Sequence, residues 1–245
     1  MNLLISSCSK MIWDDFGVRW SAAAVEACRN VAVYIDSGDP VREGVEFRRY
    51  SPGVDAISAN PRFDETALDK SLDITTRYYR TNTRFWLRKV FAVLDASRKL
   101  ADGDLLCWMD MDCMAANPTR IWETAGLHDV SLHFLRPECR DWATQMSDTG
   151  LITFRMSAGT RRLILKWAKC YSSGSFLKTD YWADNCTFDL LRKGKFSYLD
   201  WHNLHSHNGN ISDEGVRIGK HLLLHLKMKK LRTKEWHRQQ KEKLK

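Results

Sequence analysis

The pairing Asp110-Met111-Asp112 is where this sequence concentrates residue types able to do chemistry. An apolar run, Leu105 to Met109, precedes it, bounded by Asp102-Gly103 on one side and Asn117-Pro118 on the other. That length and those borders predict a buried strand. Strand side chains alternate between faces, so Asp110 and Asp112 share one side at the strand exit and Met111 turns away. Two neighbouring carboxylates repel unless a proton or a cation neutralises them. Oxygen donors alone suit a hard divalent ion, Mn²⁺ or Mg²⁺, and the soft thiol of Cys113 next door is a poorer match.

Other residues could join such a site. Leu3 to Ser7 reads as a first strand running into a small-residue turn. Neither a G-x-G-x-x-G nor a P-loop spacing follows, which argues against dinucleotide and ATPase sites. Asp36 ends a second apolar strand, Val31 to Asp36, at a place where open α/β sheets bind ligands, although a turn aspartate bonding its own backbone is equally in keeping. Arg84, Arg88 and Lys89 lie within a helical stripe of Phe85, Trp86, Val90, Val93 and Leu94. For Arg84 and Lys89 the plain alternative is a surface or snorkelling cation. Ser147-Asp-Thr149-Gly150 feeds an apolar strand, and Gly150 permits close backbone approach. Asp184-Asn185 opens a helix, one turn after Asp180, itself a candidate N-cap. His202, His205 and His207 fall in one polar loop without a Cys partner or helical spacing, so a cleft-lining loop with His205 is preferred over zinc. In Lys220 to Lys227, His225 and Lys227 share a strand face, with His221 competing for the same role.

Taken in order, these segments resemble the GT-A glycosyltransferases, in which an Asp-x-Asp motif follows a buried strand. The resemblance covers most of residues 1–227. It implies a GT-A-like (Rossmann-like) α/β fold with a mixed central sheet flanked by helices. It further implies that Asp110 and Asp112, with His225, hold Mn²⁺ or Mg²⁺ on the diphosphate of a nucleotide-sugar donor. An imidazole ligand would favour Mn²⁺. Ser6, Asp36, Arg84, Lys89 and Lys227 become donor-side residues, while Thr149, Gly150 and His205 lie on the acceptor side. Asp184 and Asn185 take the place of an Asp-Gln pair near the transferring sugar, with the amide one methylene shorter. The combination of Asp-x-Asp with a C-terminal His is more like that of retaining members.

The elements that must position these residues follow from periodicity. Helices are expected over Ser21–Asn30, over Leu72–Leu100 as two pieces, from Pro118 to about Gly126, and over Ser157–Tyr171. Strands are expected at Val130–Leu135 and Lys195–Asp200, and residues 41–70 read as a connection.

Composition sets the frame. With 245 residues and 44% hydrophobic content, the chain can fill one α/β domain, taken as residues 1–227. No apolar run approaches a membrane span, and the N-terminus lacks the pattern of a signal peptide. Seven cysteines without a C-x-x-C pair point to reduced thiols and a cytoplasmic location. Net charge is +8, of which +7 falls between Lys227 and Lys245. The tail, residues 228–245, is a basic helix candidate suited to a phosphate backbone or an anionic surface. A solvated tail explains it as well. One acceptor that joins tail to transferase is a hydroxymethylated base in DNA, flipped out for modification. A cell-envelope glycan or lipid acceptor is the rival. A metal-dependent nuclease and a non-enzymatic nucleic-acid-binding protein are the readings from other classes.

Overall fold

The computed structural model describes residues 1–72, 74–111, 118–133, 147–179 and 182–204. Asp112, Cys113, Asp180, His205, His221, His225, Lys227 and the basic tail lie outside the described residues.

Seven strands, β1 (Asn2–Cys8), β2 (Val31–Ile35), β3 (Val45–Arg49), β4 (Leu105–Met109), β5 (Val130–His133), β6 (Asp148–Arg155) and β7 (Trp201–Asn203), form one sheet. Their order is β3-β2-β1-β4-β6-β5-β7. Among these strands β6 alone runs against its neighbours, so the sheet is mixed, as expected. The helices are α1 (Lys10–Ile12), α2 (Val18–Ala27), α3 (Pro52–Ser58), α4 (Arg62–Leu68), α5 (Ile74–Ser97), α6 (Pro118–Leu127), α7 (Ala158–Ser172) and α8 (Asp184–Lys193). A π-helical turn, Trp13–Gly17, joins α1 to α2. Gly17 is needed there, because a Cβ would fall 2.3 Å from the Trp13 ring.

Every residue of β2 is buried, the pattern of a parallel strand covered on both faces. Alternation along the strands divides the core in two. Leu3, Ile5, Leu106 and Trp108 pack with Leu87, Val90 and Val93 of α5 and Leu163, Ile164 and Trp167 of α7. Leu4, Cys8, Cys107 and Met109 pack on the other face with Trp20 and Ala24 of α2 and Ile121 of α6. Thus the helix leaving β1 and the long helix leading to β4 cover opposite faces. Strand β1 has β2 on one side and β4 on the other, so the order of the chain reverses between β1 and β4. The crevice outside the carboxyl ends of those two strands is where open α/β sheets bind ligands.

Several sequence expectations change. Residues 72–100 hold one helix, α5, whose 24 residues contain neither Gly nor Pro to break it. Its buried stripe runs through Thr83, Leu87, Val90 and Val93, while Phe85 is 56% exposed. Of the expected stripe, Lys89, Val90 and Val93 are buried, Trp86 and Leu94 are partly buried, and Phe85 is exposed. Residues 41–70 are not a plain connection but contain β3, α3 and α4. Strand β3 is an edge strand carrying Glu46, Arg48 and Arg49, so hydrophobicity did not mark it. Lys195–Asp200 is a run of turns, and the strand begins only at Trp201, which pairs with Val130.

Candidate active site

The apolar strand β4 delivers Asp110 to the carboxyl end of the sheet, two residues beyond Trp108 and on the same face. Met111 turns to the opposite face and is buried in the α2-side core. The Asp110 backbone N–H donates to the Gly150 carbonyl at 2.8 Å, which ties the strand exit to β6. The Trp108 indole Nε1–H donates to Asp110 Oδ1 at 2.7 Å.

Lys89 comes to this carboxylate from the buried side of α5. Its Nζ lies 3.1 Å from Asp110 Oδ1 and 2.9 Å from Asp184 Oδ2. It also donates to the Thr149 carbonyl at 3.0 Å and reaches Thr149 Oγ1 at 3.3 Å. Thr149 Oγ1 in turn donates to Asp184 Oδ2 at 2.8 Å. The ammonium sits 5.4 Å from the centre of the Trp108 ring. Burial works against a charged lysine here, but Asp110 and Asp184 outweigh it and hold Lys89 above the usual lysine range. The side chains of Lys89 and Asp184 are each only 7% exposed, whereas that of Asp110 is 26% exposed. Asp110 is therefore the member of the cluster that presents charge to solvent.

Asp184 is fixed by the start of α8. Its carbonyl accepts from the Trp167 indole at 3.2 Å, and the Tyr171 hydroxyl donates to the Trp182 carbonyl at 3.0 Å. Five residues on, Asp189 accepts from the Ser147 N–H at 2.8 Å and from the Ser147 hydroxyl at 2.6 Å. Helix α8 thus holds the start of β6 through two carboxylates. Asn185 Oδ1 is buried without a hydrogen-bond partner. Thiol chemistry is disfavoured at both ends of the crevice. Burial, helped by Asp36 and Asp14, pushes the Cys8 thiol up to about 12, and burial with Asp184 and Asp189 pushes Cys186 up to about 12.

The structure thus brings together Lys89, Asp110, Thr149, Gly150 and Asp184 of the sequence candidates, with Asn185 next to Asp184 in the first turn of α8. Asp36 stands at the exit of β2, where it accepts from the Lys10 N–H at 3.2 Å and pairs with Arg88 Nη1 at 3.0 Å. Ser6 is fully buried, its hydroxyl without a partner, on the face of Leu4 and Cys8. Arg84 pairs with Asp64 at 2.6 Å and lies over the Phe63 ring, so α4 occupies it. Sequence reasoning passed over Trp108 and gave Arg88 no role. Trp108 was findable, since a residue two before Asp110 on a strand must share its face. Arg88 is held by Asp36 and Asp55 and lies over the Tyr50 ring, partners that come from three separate elements.

Asp110 fits a hard divalent ion by its chemistry. A carboxylate offers about four lone-pair positions, so bonds from Trp108 and Lys89 at Oδ1 are compatible with ligation. Among the described residues no three His, Cys, Asp or Glu side chains gather into a complete metal site.

Comparisons with known proteins bear on the fold. No family model and no curated protein sequence matches the chain. Solved structures do resemble it. A galactosyltransferase, LgtC, in complex with donor and acceptor sugar analogues gives a TM-score of 0.46 at 16% identity, covering 84% of this chain and 74% of that one. A glycosyltransferase involved in glycosylation of the major capsid of PBCV-1 gives 0.47 at 11% identity, covering 82% and 81%. Mouse xyloside xylosyltransferase 1 gives 0.45 at 10% identity, covering 83% and 85%. All three are GT-A-type glycosyltransferases, the family that the sequence resembles. At these identities and scores the likeness decides neither activity nor substrate.

Proposed function

We propose that the chain is a glycosyltransferase that moves a sugar from a nucleotide-diphosphate sugar to an acceptor hydroxyl. The observation that carries this reading is the position of Asp110. It is a quarter-exposed carboxylate at the carboxyl end of β4, beside the point where the strand order reverses, backed by the buried Lys89–Asp184 pair. A crevice at that position takes a nucleotide, and a partly exposed carboxylate favours a cation over a bare phosphate.

Asp110, completed by Asp112 and His225, would hold Mn²⁺ or Mg²⁺. Bound there, the ion would neutralise charge on the departing diphosphate. Asp36 and Ser6 mark the side of the nucleoside, with Arg84 and Lys227 as further donor-side candidates. Asp184 and the orphaned amide oxygen of Asn185 orient the sugar. The acceptor hydroxyl enters past Thr149 and Gly150, with His205 as a further lining residue. For the acceptor itself, the +7 segment from Lys227 to Lys245 favours a phosphate backbone, and a hydroxymethylated base in DNA is the concrete substrate. Among the described residues no helix is long and apolar enough to cross a membrane.

The test is a panel of nucleotide sugars offered to the full chain with Mn²⁺ or with EDTA, with released nucleoside diphosphate as the readout. Release from one donor, abolished by EDTA, is the expected result. If no donor is consumed and none shifts the melting temperature, the proposal fails. Adding hydroxymethylated DNA should then raise release from the active donor, whereas no response to DNA would remove that acceptor.

A further inference from the structure

A lysine near a diphosphate is ordinarily read as a phosphate ligand, and the sequence suggests that role for Lys89. Its surroundings point elsewhere. The residue is 6% exposed, and its ammonium is enclosed by Asp110, Asp184, both oxygens of Thr149 and the face of Trp108. An ammonium carries three N–H donors, and this one has four oxygens within reach. Little is left for a phosphate oxygen at so enclosed an ammonium.

We propose that Lys89 is a positioning residue, an internal counter-ion that couples the carboxylate at the exit of β4 to the carboxylate at the start of α8 without touching the donor's diphosphate. What the two carboxylates do rests on the transferase reading, whereas the coupling rests on the distances alone. The two carboxylate oxygens share a single Nζ, so they stand no farther apart than the two contacts laid end to end. Without the ammonium two like charges at that separation repel, one of them in a buried position. Thr149 completes the link, because it donates to Asp184 and accepts from Lys89 while Gly150 beside it holds the Asp110 backbone. Strand β4, strand β6 and helix α8 are thus fastened at one atom. The side chain sets the distance between a metal-side group and a sugar-side group, a geometry to which transfer rates are steeply sensitive.

Three variants of the full chain test this: Lys89→Met, Lys89→Arg and the double variant Lys89→Met/Asp184→Asn. In Lys89→Met, turnover should fall about a hundredfold or more at saturating donor, while KM for the donor and the affinity for nucleoside diphosphate in EDTA change by less than about twofold. Lys89→Arg keeps the charge and the fold. Its planar fork cannot reproduce the point contact, so turnover should still fall about tenfold or more with nucleotide affinity unchanged. The melting temperature of Lys89→Met should drop, and adding Asp184→Asn should restore part of that drop, since the unpaired buried charge is then gone. A tenfold or greater loss of nucleoside-diphosphate affinity in either single variant would make Lys89 a direct phosphate ligand and overturn the proposal. So would a double variant whose melting temperature is lower than that of Lys89→Met. If the wild type consumes no nucleotide sugar, the transferase reading falls, yet the melting comparison still decides whether Lys89 couples the two carboxylates.

Discussion

Asp110→Asn is expected to reduce Mn²⁺-dependent release of nucleoside diphosphate by about 10²–10³-fold, the loss that follows when a group stabilising transition-state charge is removed. The variant should fold normally. Lys89 retains the nearer carboxylate, Asp184 at 2.9 Å. An amide keeps an oxygen for the Trp108 indole, so the strand exit keeps its anchor. The comparison is therefore of rates between two proteins of similar melting temperature, measured with the same donor at several Mn²⁺ concentrations. Turnover within about threefold of wild type would remove Asp110 from the metal site.

The second large effect is structural. Trp167→Ala should cost about 3–5 kcal/mol of unfolding free energy, the range for a fully buried large aromatic. Trp167 is entirely buried, packs against Phe188 at 4.6 Å between ring centres, and donates its indole N–H towards the Asp184 carbonyl and Thr187 Oγ1. With Tyr171, whose hydroxyl meets Thr187 Oγ1 at 3.0 Å, it fixes the first turn of α8 to α7. Urea unfolding followed by intrinsic fluorescence measures the loss, with Trp167→Phe as the control. The control keeps a six-membered ring and gives up the rest of the indole with its hydrogen bonds, so it should lose less than Trp167→Ala. A loss under about 1 kcal/mol for Trp167→Ala would mean that α8 is held by other contacts.

What the sequence disclosed, and what it withheld, follows from the range of the interactions involved. Strand β4 was legible because it is a short apolar run between turn signals, and the facing of Asp110 and Met111 followed from strand alternation. The helix over 158–172 was equally plain, with Ser157 as its capping residue. Strand β3 was hidden because an edge strand can carry Glu46, Arg48 and Arg49 without penalty. Most of the core-facing stripe of α5 was legible, Lys89 included, but Phe85 is large and apolar yet 56% exposed, and the buried Leu87 was passed over. No local pattern explains why Lys89 is buried. Its burial depends on Asp110 and Asp184, which only the folded chain brings together. For the same reason Arg84 and Arg88 could not be told apart, since their partners Asp64 and Asp36 are set by the packing of α5 on α4 and the sheet.

On the proposed function, the crevice at the carboxyl ends of β1 and β4 would hold a donor diphosphate through a cation on Asp110. Anomalous diffraction from crystals of the full chain grown with Mn²⁺ and a nucleoside diphosphate tests this. The expected result is a manganese peak at coordination distance from an Asp110 carboxylate oxygen, with diphosphate oxygens on the same ion. A manganese–diphosphate complex bound elsewhere on the molecule, with no manganese at Asp110, would contradict it.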